Sequence, residues 1–282
     1  MFKSLKLLLL GAALSLVAGS ASAANRISAE TAGAIVQKSG VADQLADFGP
    51  SMRAGITTNP ELASKMTEAQ FGTLLGAFDA AYAPARLQTD INASLVKELK
   101  PAAAKDALAW LESPLGVKIT ALENTATELA NDPEKMAAAQ KLLERLPPRR
   151  AERYIALMKS TGAAEAGAQI VLNSSLGIAY GAAATLGSAK PDLDGMRKEL
   201  EANRQPMVDA LGNTYIVMFA SVYESLAETD LDQYLAFADS PSGKAYHKAL
   251  SAAIAAALSN AAREAGRQIG EAARSNTTKT DA

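Results

Sequence analysis

The chain has no cysteine and a single histidine in 282 residues. The first absence excludes disulfides and a lipidated N-terminal cysteine. Together the two exclude a zinc site of the usual ligand set, which draws on several Cys and His side chains. Aromatic residues make up only 5% of the chain, with one tryptophan. Positive charge is not in excess either, with 28 Lys and Arg against 30 Asp and Glu. A nucleic-acid binder needs a basic face to neutralise phosphates, and an anionic lipid surface asks for the same. Neither partner is expected. β-Branched residues are sparse and no stretch alternates with period two, so little or no sheet is predicted.

Catalytic patterns are also missing. The sequence holds no Gly-rich phosphate loop, nucleophile elbow or paired-carboxylate spacing. His247 stands alone, and acid–base work normally needs a histidine with an oriented partner. No catalytic, cofactor-binding or metal-binding residue is assigned, and the chain is read as non-enzymatic.

What is present begins with an address. Lys3 and Lys6 precede an apolar run, Leu7 to Val17, and a small-residue stretch ending Ala21-Ser22-Ala23. This is the three-part pattern of a secretory signal peptide, residues 1–23, cleaved after Ala23. The run of about 11 residues falls short of the roughly 20 that span a bilayer as a helix. A periplasmic or secreted protein with no stable membrane span is expected. Removing Lys3 and Lys6 leaves 26 basic against 30 acidic residues.

A short segment then occurs twice. Trp110-Leu111-Glu112-Ser113-Pro114-Leu115-Gly116 returns as Phe237-Ala238-Asp239-Ser240-Pro241-Ser242-Gly243, 127 residues later. Upstream, Ile35 to Ala42 reads against Leu157 to Ala164 at an offset of 122. Repetition at such spacing predicts two related tandem modules. Their expected limits are 27–146 and 149–274, joined at Pro147-Pro148, with a polar, disordered tail at 275–282. Abundant alanine favours helix, and the predicted fold is all-α with about five or six helices per module.

The punctuation agrees. Ser39-Gly40 and Thr161-Gly162 read as helix ends with glycine in the left-handed region. Asn59-Pro60, Asp132-Pro133 and the two Ser-Pro pairs place a capping side chain before proline at the first helical position. Thr67 and Gln70 fit a capping box. Apolar stripes run from Val208 through Leu211, Tyr215, Met218 and Val222 to Leu226, and from Leu115 through Ile119, Leu122 and Ala126 to Leu129.

In the repeated segment Ser113 and Ser240 cap helices begun by Pro114 and Pro241. Trp110 and Phe237 plug the corner, and Gly116 and Gly243 allow a close backbone approach. Glu112 and Asp239 favour the adjacent helix N-termini. The aromatic-x-acid-Ser-Pro-x-Gly pattern, preceded in the second copy by Thr229-Asp230-Leu231-Asp232, resembles the signature of a bacterial secreted family catalogued as domain-of-unknown-function family 2059. In the second copy the matching residues are Phe237, Ser240, Pro241 and Gly243, and in the first Trp110, Ser113, Pro114 and Gly116. Departures from the signature are Leu111 and Ala238 at its second aromatic, and the differing placement of Lys118 and Lys244 after the glycine. The resemblance implies an exported helical protein and carries no activity with it.

Residues 166–187 carry no charge and include Gly177-x-x-x-Gly181, read as a closely packed buried helix. The C-terminal helix places Leu250, Ile254, Leu258, Ala261, Ala265 and Ile269 on one side, with Gly266-x-x-x-Gly270 permitting close approach of a partner. Arg149, Arg150 and Arg153 read as a solvated helix start. The functional expectation is a periplasmic binding or protein-interaction module, with an unknown protein partner or self-association. The competing expectation is a carrier of a lipidic or other apolar small ligand in a groove between helices.

Overall fold

The computed structural model describes residues 26–58, 67–183 and 192–280. The signal-peptide segment, the Asn59-Pro60 cap and the end of the uncharged stretch lie outside them. The described residues are helical throughout, without a strand. In chain order the helices are α1 (Ala29–Lys38), α2 (Val41–Thr57), α3 (Glu68–Ala81), α4 (Pro84–Glu98), α5 (Pro101–Leu111), α6 (Pro114–Glu123) and α7 (Ala126–Ala130). They continue with α8 (Pro133–Arg145), α9 (Pro148–Thr161), α10 (Ala163–Ala183), α11 (Leu193–Ala202), α12 (Arg204–Val222), α13 (Glu228–Asp239) and α14 (Pro241–Thr280).

Local chemistry sets these starts and stops. The Thr67 hydroxyl accepts the Gln70 N–H at 3.2 Å while the Gln70 side chain accepts the Thr67 N–H at 2.9 Å, closing a capping box. Asp132 accepts the N–H groups of Glu134 and Lys135 at 3.0 and 3.1 Å. Proline occupies the first position of α4, α5, α6, α8, α9 and α14, where its missing N–H costs nothing. The only described residues with positive φ are Gly40 at +75° and Gly162 at +66°, the glycines that end α1 and α9. The stripe from Leu115 to Leu129 is one pattern in sequence but two helices in space, because the chain turns at Asn124-Thr125 between α6 and α7. Likewise Leu226 is buried but lies past the end of α12.

The two larger hydrophobic cores each draw on both halves of the chain, and a small third cluster holds Ala164, Ala168 and Val208. The first gathers Ile35, Val36, Leu87, Ile91, Leu95 and Leu111 from α1, α4 and α5, and α14 closes it with Tyr246, Leu250, Ala253 and Leu258. The second gathers Tyr154, Leu157, Tyr223, Leu231 and Tyr234 from the α9–α13 segment, closed by Ile119, Leu129 and Ala139 of α6, α7 and α8. Helix pairings run in parallel: α1 packs on α2, α4 and α5, and α9 packs on α10, α12 and α13.

The tightest helix pair is α10 against α14. A Cβ on Gly181 would overlap the Arg263 carbonyl oxygen, and one on Gly266 the Ile178 carbonyl oxygen. Gly177 and Gly181, and Gly266 on the opposite helix, therefore serve an internal crossing. Among the described residues no helix is long and apolar enough to cross a membrane.

Candidate functional site

The two repeated corners meet through their aromatic rings. Each serine does two jobs at once. Ser113 donates its hydroxyl to the Trp110 carbonyl at 2.6 Å and accepts the Gly116 N–H at 3.0 Å. Ser240 donates to the Phe237 carbonyl at 2.7 Å and accepts the Gly243 N–H at 2.9 Å. A Cβ on Gly116 or Gly243 would overlap that same aromatic carbonyl oxygen, so the corner fits only glycine there. Pro114 and Pro241 begin the helices that leave the corners. The Trp110 and Phe237 rings stack on each other with centroids 4.7 Å apart and planes within 8°. Residues 127 positions apart thus pair ring to ring, a contact worth about 1 kcal/mol beyond burial.

Beside this stack lies a polar cluster. Tyr223 and Tyr234 both donate to Glu123 Oε1, at 2.6 and 2.9 Å. Burial raises the Glu123 carboxyl above the usual carboxylate range, against the pull of those two hydroxyls. His247 contacts Phe237 and Tyr246, and its Nε2 is buried with no hydrogen-bond partner. Burial lowers its pKa to about 4, which keeps the ring neutral at ordinary pH. This is the chemistry of packing groups held in one protonation state.

Arg149 is exposed, but Arg150 and Arg153 depart from the expected solvated helix start. Arg150 has only 11% of its side chain exposed. Its guanidinium donates to the carbonyls of Tyr223 and Leu226 at 2.7 and 2.8 Å and to Glu228 at 2.5 Å. It therefore caps the C-terminal end of α12, whose last carbonyls lack helical partners. Arg153 pairs with Glu228 at 2.7 Å and Asp232 at 2.6 Å. No sequence signal near Pro148 points at an acceptor more than seventy residues away.

An opening sits at the α9–α10 turn. There a cleft of about 450 Å³ is lined by Lys159, Gly162, Glu165, Arg204, Lys244 and Lys248, together with Ser251 and three alanines. Gly162 faces open space, with nothing within 4 Å of where a Cβ would stand. Lys244, which directly follows the second repeated corner, forms part of the wall. Asp239 pairs with Lys244 at 3.1 Å and accepts the Ser160 hydroxyl at 2.9 Å. Those two contacts, Lys244 first, hold its carboxyl below the usual range.

At the α1–α2 turn the matching place is filled. Asn124 stands where the offset puts Ser251, and its amide donates to Asp43 at 3.2 Å. A Cβ on Gly40 would overlap Asn124 Oδ1 and lie 3.1 Å from Thr120. Glu112 pairs with Lys38 at 3.2 Å, as Asp239 meets Ser160 in the other half. Val117, 56% exposed, stands in place of Lys244, and Ala121 in place of Lys248. The cleft cations escape sequence reading because Lys159, Arg204 and Lys248 lie on three helices. Only the Lys244/Lys248 pair, one helical turn apart, is a local signal.

Among the described residues no group of three or more His, Cys, Asp or Glu is placed to hold a metal ion. A family model described as "Uncharacterized protein conserved in bacteria (DUF2059)" matches residues 85–145. That span takes in most of α4, all of α5 to α8 and the first repeated corner, about a fifth of the chain. The chain is similar to that family over this span. No curated protein and no solved structure matches the chain.

Proposed function

We propose that the chain is an exported, non-enzymatic binding module built of two related helical units, and that it holds a small partner non-covalently at the α9–α10 turn. Export is supported by the charged, apolar and small-residue order of residues 1–23. Relatedness of the units is supported by the paired corners, the stacked rings and the parallel helix contacts. A non-enzymatic role is supported by a histidine held neutral by burial and a carboxylate engaged by two tyrosines.

One observation carries the binding reading: the 450 Å³ cleft falls in the size range of small-ligand sites, and the matching turn elsewhere in the chain is filled. The carrier of a lipidic ligand finds less support, because the only apolar side chains in the lining are three alanines.

Native mass spectrometry of protein released gently from the periplasm of an expressing bacterium tests this. The expected spectrum shows a chain beginning at Ala24 and carrying an adduct of constant mass. A clean apo mass overturns the binding reading.

A further inference from the structure

We infer that the cleft at the α9–α10 turn is a site for a small amphipathic organic anion, its carboxylate or phosphate taken by Lys159, Lys248 and Arg204. The inference rests on the binding reading above and names the chemistry of the ligand.

The charge distribution argues for it first. The chain as a whole is slightly acidic, yet four of its cations surround this one opening. Lys244 is satisfied by Asp239. The side chains of Lys159, Lys248 and Arg204 make no ion pair or hydrogen bond with any described residue. Glu165 is the one carboxylate on the wall, so cations remain in excess. Lys244 and Lys248 also sit four residues apart on α14, a spacing at which like charges repel on a helix. An oxyanion in the cleft relieves that repulsion and gives the free ammonium groups charge-assisted hydrogen bonds. Lysine suits a ligand of loose geometry, because its ammonium is a compact charge on a flexible stem.

The apolar part of the lining argues for the second half of the ligand. Ala166, Ala252 and Ala255 add small apolar surface to the cleft. A bare inorganic anion leaves that surface wet, whereas a short alkyl or ring portion covers it. The filled turn at Gly40 supplies the third argument: there Ala121 and Asn124 replace Lys248 and Ser251, and Asn124 takes the space beside the glycine. Charge and opening occur together, at one of two matching places.

Isothermal titration with octanoate, octyl phosphate, inorganic phosphate and 1-octanol tests the inference on the full mature chain. Octanoate or octyl phosphate is expected to bind, more weakly as salt rises, and the stronger of the two identifies the oxyanion. Inorganic phosphate and octanol are expected to bind at least tenfold more weakly. The double variant Lys159→Ala, Lys248→Ala should lower affinity at least tenfold with an unchanged melting temperature, since neither side chain has a described partner. Glu165→Gln should raise affinity, because it removes the opposing charge. Octanol binding as tightly as octanoate, or no response to either lysine, overturns the anion assignment. If neither octyl anion binds while native adducts persist, the anion assignment fails and the binding reading stands. If both are absent, both fall.

Discussion

Two helix–helix turns in this protein share one glycine geometry and differ in everything around it. At Gly40 the space beside the left-handed residue is occupied by Asn124 and Thr120. At Gly162 the same backbone conformation faces an open, cation-lined cleft. The backbone requirement is common to both, because a turn between these helices demands φ near +70°. The fold therefore explains the glycines, but it does not explain the opening. The turns differ in what stands one helix away: Asn124, bridging to Asp43, and Thr120 fill the space beside Gly40, whereas Ser251 and His247 occupy the matching positions near Gly162.

The largest test of this contrast is a pair of alanine substitutions. Gly40→Ala meets both the left-handed strain and the Asn124 and Thr120 side chains, for an expected cost of about 3 kcal/mol. Gly162→Ala meets the strain alone, for about 1 kcal/mol. Urea unfolding of both variants measures the difference, and equal costs would break the comparison.

Acid sharpens it next. His247 is matched in the first half by Thr120, so only the open side carries a buried imidazole. Below about 6.5 the unfolded chain takes up a proton that the folded ring refuses until about 4. Stability is therefore full above that window and is lost as pH falls through it, by roughly 3 kcal/mol. The variant His247→Thr should flatten melting temperature between pH 6.5 and 4, measured by circular dichroism. An unflattened profile would assign the acid sensitivity to other groups.

The smallest expected change in stability comes from Ser251→Asn, which copies the closed turn into the open one. Its effect on unfolding should stay within about 0.5 kcal/mol, while octanoate affinity falls sharply. Undiminished affinity would show that the cleft does not bind there.

Much of the fold could be read from the chain because its signals are local. The capping box at Thr67, the serine caps at Ser113 and Ser240, the glycine ends at Gly40 and Gly162, and the leading prolines each act within four residues. Reach sets the limit of that reading. Arg150 looks like a surface charge until the end of α12 is placed beside it, and nothing near residue 150 encodes that placement. Asn124-Thr125 interrupts a stripe that periodicity alone treats as continuous. The cleft is harder still, because it is an absence of packing among α9, α10, α12 and α14, and its cations acquire meaning only once those helices converge. The repeated segment was legible as two corners, but not as one stack.

The crossed closure of the two cores also sets an order of events. The α1, α4 and α5 faces wait for Tyr246, Leu250 and Leu258, which the ribosome adds almost last. No point along the growing chain completes the first core before α14 exists. A polypeptide assembled this way carries those apolar faces without their α14 partners until its last helix is added.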